Sequence, residues 1–240
     1  MSIVSNKVNK VNKYGIVVGI SDYKTISDLS LSDEDCSDWY RYLISLGYQV
    51  KVFGDTHREN YPKYDGLGTE ANVRNAFQTA LKRAVSGDTV VLTTAGHGHG
   101  DGCGNSFICF YECNPNRDTD CYHDYELVQD LKLKKPGVKV FLFFDNCFSG
   151  GFLDELKNIP EVTALTAATD HGYGYDYAEG NNGAWTYSFL ECGLLRQFGG
   201  QAPISKAYQW ASENFPKITG KTSEGDQPQM INNNGEDFSL

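Results

Sequence analysis

The chain has 240 residues, 40% of them hydrophobic and 22% charged, which is enough apolar material for one large folded domain and too much for a disordered chain. A formal net charge of −10 argues against a nucleic-acid-binding surface. No run approaches the roughly 18 apolar residues of a membrane span, and seven cysteines, an odd number, exclude a fully paired disulfide framework within one chain.

Residues 1–13 are polar and lysine-bearing and lack the apolar core of a signal peptide. They read as a flexible leader before a single domain over residues 14–240, in a soluble, cytoplasmic, monomeric protein. Tyr14–Ile20 reads as the first buried strand. Asp33–Leu46 reads as a helix: Cys36, Trp39, Tyr40, Leu43 and Leu46 recur at helical spacing, and Asp33, Glu34 and Asp35 lie at its start, where the helix dipole favours acids. Tyr48–Phe53 alternates as a strand near a sheet edge does, and Arg58–Gly68 reads as a loop. Thr69–Val85 is an amphipathic helix with Thr69 as its N-cap.

Asp88–Gly100 is an apolar strand that ends in small residues and two histidines, His97 and His99. A short strand at Ser106–Glu112, a turn at Asn114–Asp120 and a helix at Tyr125–Leu133 follow. Val138–Phe144 is nearly continuously apolar, as a strand buried on both faces of a parallel sheet must be. It stops abruptly at Asp145-Asn146-Cys147. Val162–Ala168 is a fifth strand, Ala184–Phe198 and Ile204–Asn214 are helices, and a Pro/Gly-bearing tail runs to Leu240. Strands alternating with helices define a doubly wound α/β domain.

In open α/β sheets, ligands sit outside the carboxyl ends of the strands, where Cys147 falls. Fifty residues separate His97 from Cys147, room for one crossover that brings both strand ends to the same edge. The motifs AGHG at Ala95–Gly98 and DNCFSGG at Asp145–Gly151 resemble the SGHG and DSCxSG motifs of metacaspases and their prokaryotic caspase-like relatives. The helix start DEDCSDW and the closing DQPQ at Asp226–Gln229 look like further features of that family. Asn146, Phe148 and Ala95 depart from its motifs, and a cysteine-rich insertion lies between the two.

The resemblance implies a caspase-like three-layer sandwich, with a mostly parallel six-stranded sheet flanked by helices. It implies a cysteine endopeptidase that acts on polypeptides with a Cys147–His97 dyad and needs no cofactor for the chemistry. The backbone N–H groups of Gly98 and Cys147 would form the oxyanion hole, and His99 would lie outside the machinery. Asp145 and Asp35, with Ser32 nearby, would bind a substrate arginine or lysine, although Asp35 could equally serve the helix N-terminus. Some metacaspases hold calcium, and Asp154, seven residues after Cys147, with Asp124 would be its ligands here. Solvated loop carboxylates are the competing reading of that pair.

Cleavage of the chain by itself would fall at Lys157, which the resemblance favours, at Arg117, or at Lys7, Lys10 or Lys13. A legumain-like or Asp-directed peptidase, or an interaction module with little activity, are the rival readings. Cys103, Cys109, Cys113 and Cys121 with His123 lack the paired short gaps of common zinc sites, so core packing or a local disulfide competes with a metal reading.

Overall fold

The computed structural model describes residues 11–101, 103–234 and 238–240. Lys7 and Lys10 lie outside them. In chain order the strands are β1 (Lys13–Gly19), β2 (Gln49–Gly54), β3 (Gly66–Leu67), β4 (Thr89–Ala95), β5 (Gly98–Gly100), β6 (Ser106–Asn114), β7 (Thr119–His123), β8 (Lys139–Asp145), β9 (Val162–Thr166), β10 (Asp176–Tyr177), β11 (Asn182–Gly183) and β12 (Gln229–Asn232). The helices are α1 (Ser32–Ser45), α2 (Glu70–Arg83), α3 (Asp124–Leu131), α4 (Gly151–Leu156), α5 (Ala184–Thr186), which continues as a π-type helix over Tyr187–Gln197, and α6 (Ile204–Thr219).

The main sheet has seven strands in the order β12-β9-β8-β4-β1-β2-β3, all parallel except β12. This corrects the expected six. The added edge strand β12 comes from the supposed tail and lies antiparallel on β9, with Met230 opposite Leu165. The β8 run divides its side chains by parity, as a strand covered on both faces must. Val140, Leu142 and Phe144 enter the core under α2, α3 and α4, while Phe141 and Phe143 enter the core under α1, the π-type helix and α6.

Several boundaries move. β1 begins at Lys13, inside the expected leader, because Asn12 is tied to Asp88 by a 2.7 Å bond from its backbone N–H. The Arg58–Gly68 loop contains the two residues of β3. The third helix starts at Asp124, and α6 runs through Pro216 to Thr219 rather than ending at Asn214. Thr69 caps α2 as its residue type predicts, accepting from the Asn72 N–H at 3.4 Å.

The crossover from β4 to β8 carries the insertion as a separate three-stranded antiparallel sheet, β5-β6-β7. β4 and β8 are nevertheless adjacent and in register, with Ala95 opposite Asp145. Both therefore end at one level of the sheet, and the segments carrying His97 and Cys147 leave it side by side.

Candidate active site

A cavity of about 210 Å³ opens where β4 and β8 end, lined by His97, Cys147, Asp35, Asp145, Asp176 and Ser32 among others. A larger groove of about 710 Å³ lies against β2 and α2 and holds none of these residues. The candidate site residues are in the smaller one.

Cys147 follows β8 by two residues and is partly buried, its thiol directed at the Gly174 carbonyl 3.6 Å away. Burial pushes this thiol above its ordinary pKa, and the nearby Asp145 and Asp226 carboxylates add to the shift. Phe148, next in the chain, has φ of 57°, a left-handed conformation that is an outlier for a bulky side chain. Its N–H donates to the Gly172 carbonyl at 2.8 Å and its carbonyl accepts from the Ser106 hydroxyl at 2.6 Å. The surroundings impose the turn that turns Cys147 out of the sheet.

His97 is held at three points. Its N–H donates to the Tyr23 hydroxyl at 2.7 Å, and its carbonyl accepts from the Cys109 N–H at 3.0 Å. Its Nε2 lies 2.9 Å from the Ser27 carbonyl, which can only accept, so Nε2 carries the proton and Nδ1 keeps the basic lone pair. His99 is exposed, bonds within its own turn and stacks on Phe107 and Phe148. Of the two imidazoles, only that of His97 lines the cavity. Gly98 abuts Cys147 so closely that a side chain there would run into the Cys147 carbonyl.

The acidic residues form the opposite wall. Asp35 sits in the first turn of α1, yet its carboxylate turns inward to accept the Gly183 N–H at 2.8 Å, which places it in the cavity rather than on its own helix end. Asp145 accepts the Thr186 N–H at 2.8 Å. Both are buried; burial first, then the neighbouring charges of Asp145 and Asp176, raises the pKa of Asp35, and burial first, then the charge of Asp176, raises that of Asp145 to about 6. Asp176 lies on β10 at the rim and accepts the Ser30 N–H at 3.1 Å.

Sequence reasoning missed Asp176, which sits in a two-residue strand with no periodicity to mark it. Asp226, from the DQPQ segment, is a second neighbour of the cavity loop. It accepts the Tyr173 N–H at 2.8 Å and the Tyr175 hydroxyl at 2.7 Å, and so fixes the loop that carries Gly174 and Asp176 past Cys147.

The metal readings fare differently. Asp124 is buried, and its oxygens accept the Ser106 N–H at 2.7 Å and the Tyr125 N–H at 2.6 Å. Asp154 is exposed and paired with Lys157 at 2.5 Å. Among the described residues no three His, Cys, Asp or Glu side chains are grouped as a metal site would group them. Cys109, Cys113 and Cys121 are free, buried thiols, with Cys113 Sγ 3.1 Å from Cys121 Sγ, while His123 bonds Asp118 at 2.6 Å.

The mostly parallel sheet thus carries a cysteine and a histidine just beyond adjoining strand ends, beside a cavity. The chain belongs to the caspase-domain family: the family model described as "Caspase domain" matches residues 12–231. It is 28% identical over 159 residues to "Metacaspase-4" of Arabidopsis thaliana, covering 61% of this chain and 36% of the relative. It is 26% identical over 170 residues to "Mucosa-associated lymphoid tissue lymphoma translocation protein 1" of Homo sapiens, covering 70% of this chain and 19% of that protein. The chain thus spans about a third and a fifth of these relatives' lengths. Protein GSU0716 of Geobacter sulfurreducens shares the fold, with a TM-score of 0.68 at 15% identity over 92% of each chain. Among the described residues no helix is long and apolar enough to cross a membrane.

Proposed function

We propose that the protein is a cysteine endopeptidase that cleaves after arginine or lysine, with Cys147 as nucleophile and His97 as acid and base. The observation that carries the specificity is the convergence of the Asp35, Asp145 and Asp176 carboxylates on the cavity beside Cys147. A buried acidic pair in mutual conflict is selective for a guanidinium or ammonium, which relieves the repulsion and restores both negative charges. Among the described residues no lysine or arginine lines the cavity, so the side chain of Asp would find no basic partner among them.

With the substrate cation in the cavity, Cys147 Sγ attacks the scissile carbonyl carbon and its proton passes to His97 Nδ1. The oxyanion that forms is held by the N–H groups of Gly98 and Cys147. Collapse breaks the C–N bond, and His97 gives the proton to the leaving amine. A water, deprotonated by His97, then cleaves the thioester and regenerates the thiol. The Ser27 carbonyl keeps the imidazole in the needed tautomer throughout.

The test is a panel of fluorogenic peptides differing only in the residue before the scissile bond, with and without calcium, beside a Cys147→Ala control. Arg and Lys peptides should turn over by orders of magnitude faster than Asp or Asn peptides. Preference for Asp or Asn, or turnover that survives in Cys147→Ala, would refute the assignment.

A further inference from the structure

We infer that Asn146 is a positioning residue of the oxyanion hole, acting through the peptide that joins His97 to Gly98; this rests on the peptidase reading above. Asn146 is 1% exposed and stands between the acidic cavity residue Asp145 and the nucleophile. Its Oδ1 accepts the Thr94 hydroxyl proton at 2.6 Å, which fixes the orientation of the amide. Its Nδ2 then donates to the carbonyls of Gly96 at 3.0 Å and His97 at 3.3 Å. Both donors and the acceptor of one buried side chain are thus spent on the end of β4.

The peptide bond is planar and trans, so the His97 carbonyl and the Gly98 N–H are opposite ends of one rigid unit. Asn146 Nδ2, together with the Cys109 N–H at 3.0 Å, holds the carbonyl end. That fixes the direction in which the Gly98 N–H points. Gly98 has little room to move, since its Cα proton side lies against the Cys147 carbonyl and 3.1 Å from Asn146 Cβ for any added methyl. The serine that the family motif carries at this position has one hydroxyl and could not span the same three partners.

An oxyanion donor acts only when aimed at the charge that develops in the transition state, so a tilt of this peptide costs turnover and not substrate affinity. Two variants separate this from loss of fold. Asn146→Asp keeps the acceptor for Thr94 but replaces both donors by an anion facing two carbonyl oxygens. Thr94→Val leaves Asn146 in place but frees its amide to rotate, and its effect should run the same way and be smaller.

Three quantities are read on wild type and both variants, with thermal melting as the fold control. These are kcat and KM on an Arg peptide, inhibition by the matching peptide aldehyde, and the rate of Cys147 alkylation by iodoacetamide. The aldehyde forms a hemithioacetal whose oxygen needs the oxyanion hole, whereas alkylation at a saturated carbon forms no oxyanion. In Asn146→Asp, kcat should fall on the order of 10²-fold, with aldehyde affinity falling in parallel. KM should stay within about twofold in both variants, and so should the alkylation rate in the uncharged Thr94→Val, the margin of an unperturbed site. Unchanged aldehyde affinity in Asn146→Asp, or a loss of alkylation in Thr94→Val equal to its loss of kcat, would overturn the inference and leave the peptidase reading standing. A wild-type protein that turns over no peptide would instead remove that reading, and this inference with it.

Discussion

Asp35 and Asp145 direct carboxylate oxygens at one point, the place where a side chain on Gly183 would begin. A Cβ there would run into an Asp145 oxygen and lie 2.7 Å from an Asp35 oxygen. Gly183 has φ of −58° and ψ of 145°, which alanine adopts freely, so Gly183→Ala tests space rather than backbone strain. The methyl should displace the two carboxylates and raise KM for Arg and Lys peptides at least tenfold, while iodoacetamide still alkylates Cys147 at the wild-type rate. Equal KM values would mean that the substrate cation does not enter between these carboxylates.

Asp145→Asn keeps the shape and removes the charge. Loss of a charge-assisted contact of roughly 1.5–3 kcal/mol corresponds to a KM rise of about 10–100-fold for basic peptides. The readout is steady-state kinetics on Arg, Lys and citrulline peptides; citrulline, neutral and nearly isosteric with Arg, should be indifferent to the change.

The acid pair also sets a pH dependence whose two signs differ. For the Asp145 carboxyl, pushed up to about 6 by burial, the folded state keeps a proton that the unfolded chain has already lost. Stability from this group is therefore full below pH 4 and lost as pH rises through about 6. Binding of a basic side chain requires the anion and so improves over the same window. Wild-type protein should melt lower at pH 7 than at pH 5 relative to Asp145→Asn, while kcat/KM for Arg peptides climbs between those values. A wild-type melting profile parallel to that of Asp145→Asn would show that the carboxyl titrates normally.

Much of this site was legible in the sequence because its parts lie on strongly patterned strands. Val140–Phe144 has no polar face, so its burial and the exposure of chemistry at its end follow from composition. His97 and Cys147 were readable from motif and spacing, and Asp35 and Asp145 from the resemblance. Asp176 and Asp226 were not assigned roles, since each acts through a loop or a two-residue strand whose placement depends on distant backbone partners. β12 escaped notice for a related reason: Gln229-Met230-Ile231-Asn232 alternates weakly, is only partly buried and follows a proline. Asn146 was visible only as a departure from the family motif, because its role lies in three hydrogen bonds to the other strand end.

The two imidazoles give a clean contrast. His97→Ala should abolish turnover, as should Cys147→Ala, and leave melting near that of wild type, because both side chains lie beyond the ends of their strands. His99→Ala should retain activity within about tenfold, since this exposed ring bonds only its own turn and stacks on Phe107 and Phe148. Equal losses in the two histidine variants would require His99 to share the proton transfer.

Self-cleavage is the last expectation, and packing argues for Arg117 before Lys157. The resemblance favours Lys157, which is exposed at the end of α4. A protease cleft takes its substrate extended, so cutting after Lys157 requires the residues before it to leave the helix. Those residues are Phe152, Leu153 and Leu156, buried to 1%, 6% and 0% exposure, and their withdrawal would open the core beneath β8. Arg117 lies instead in the exposed turn between β6 and β7, preceded by Asn114-Pro115-Asn116 and followed by Asp118 at φ of 52°, with no core side chain between the strand ends. Local opening there costs little compared with unpacking α4. Incubated wild-type protein should first yield fragments ending at Arg117, with a cut at Lys157 appearing only later or on warming. Arg117→Gln should delay the first cut, and Cys147→Ala should yield neither fragment unless active enzyme is added. Mass spectrometry over a time course reads all three; an initial cut at Lys157 would mean that α4 unfolds more readily than the turn.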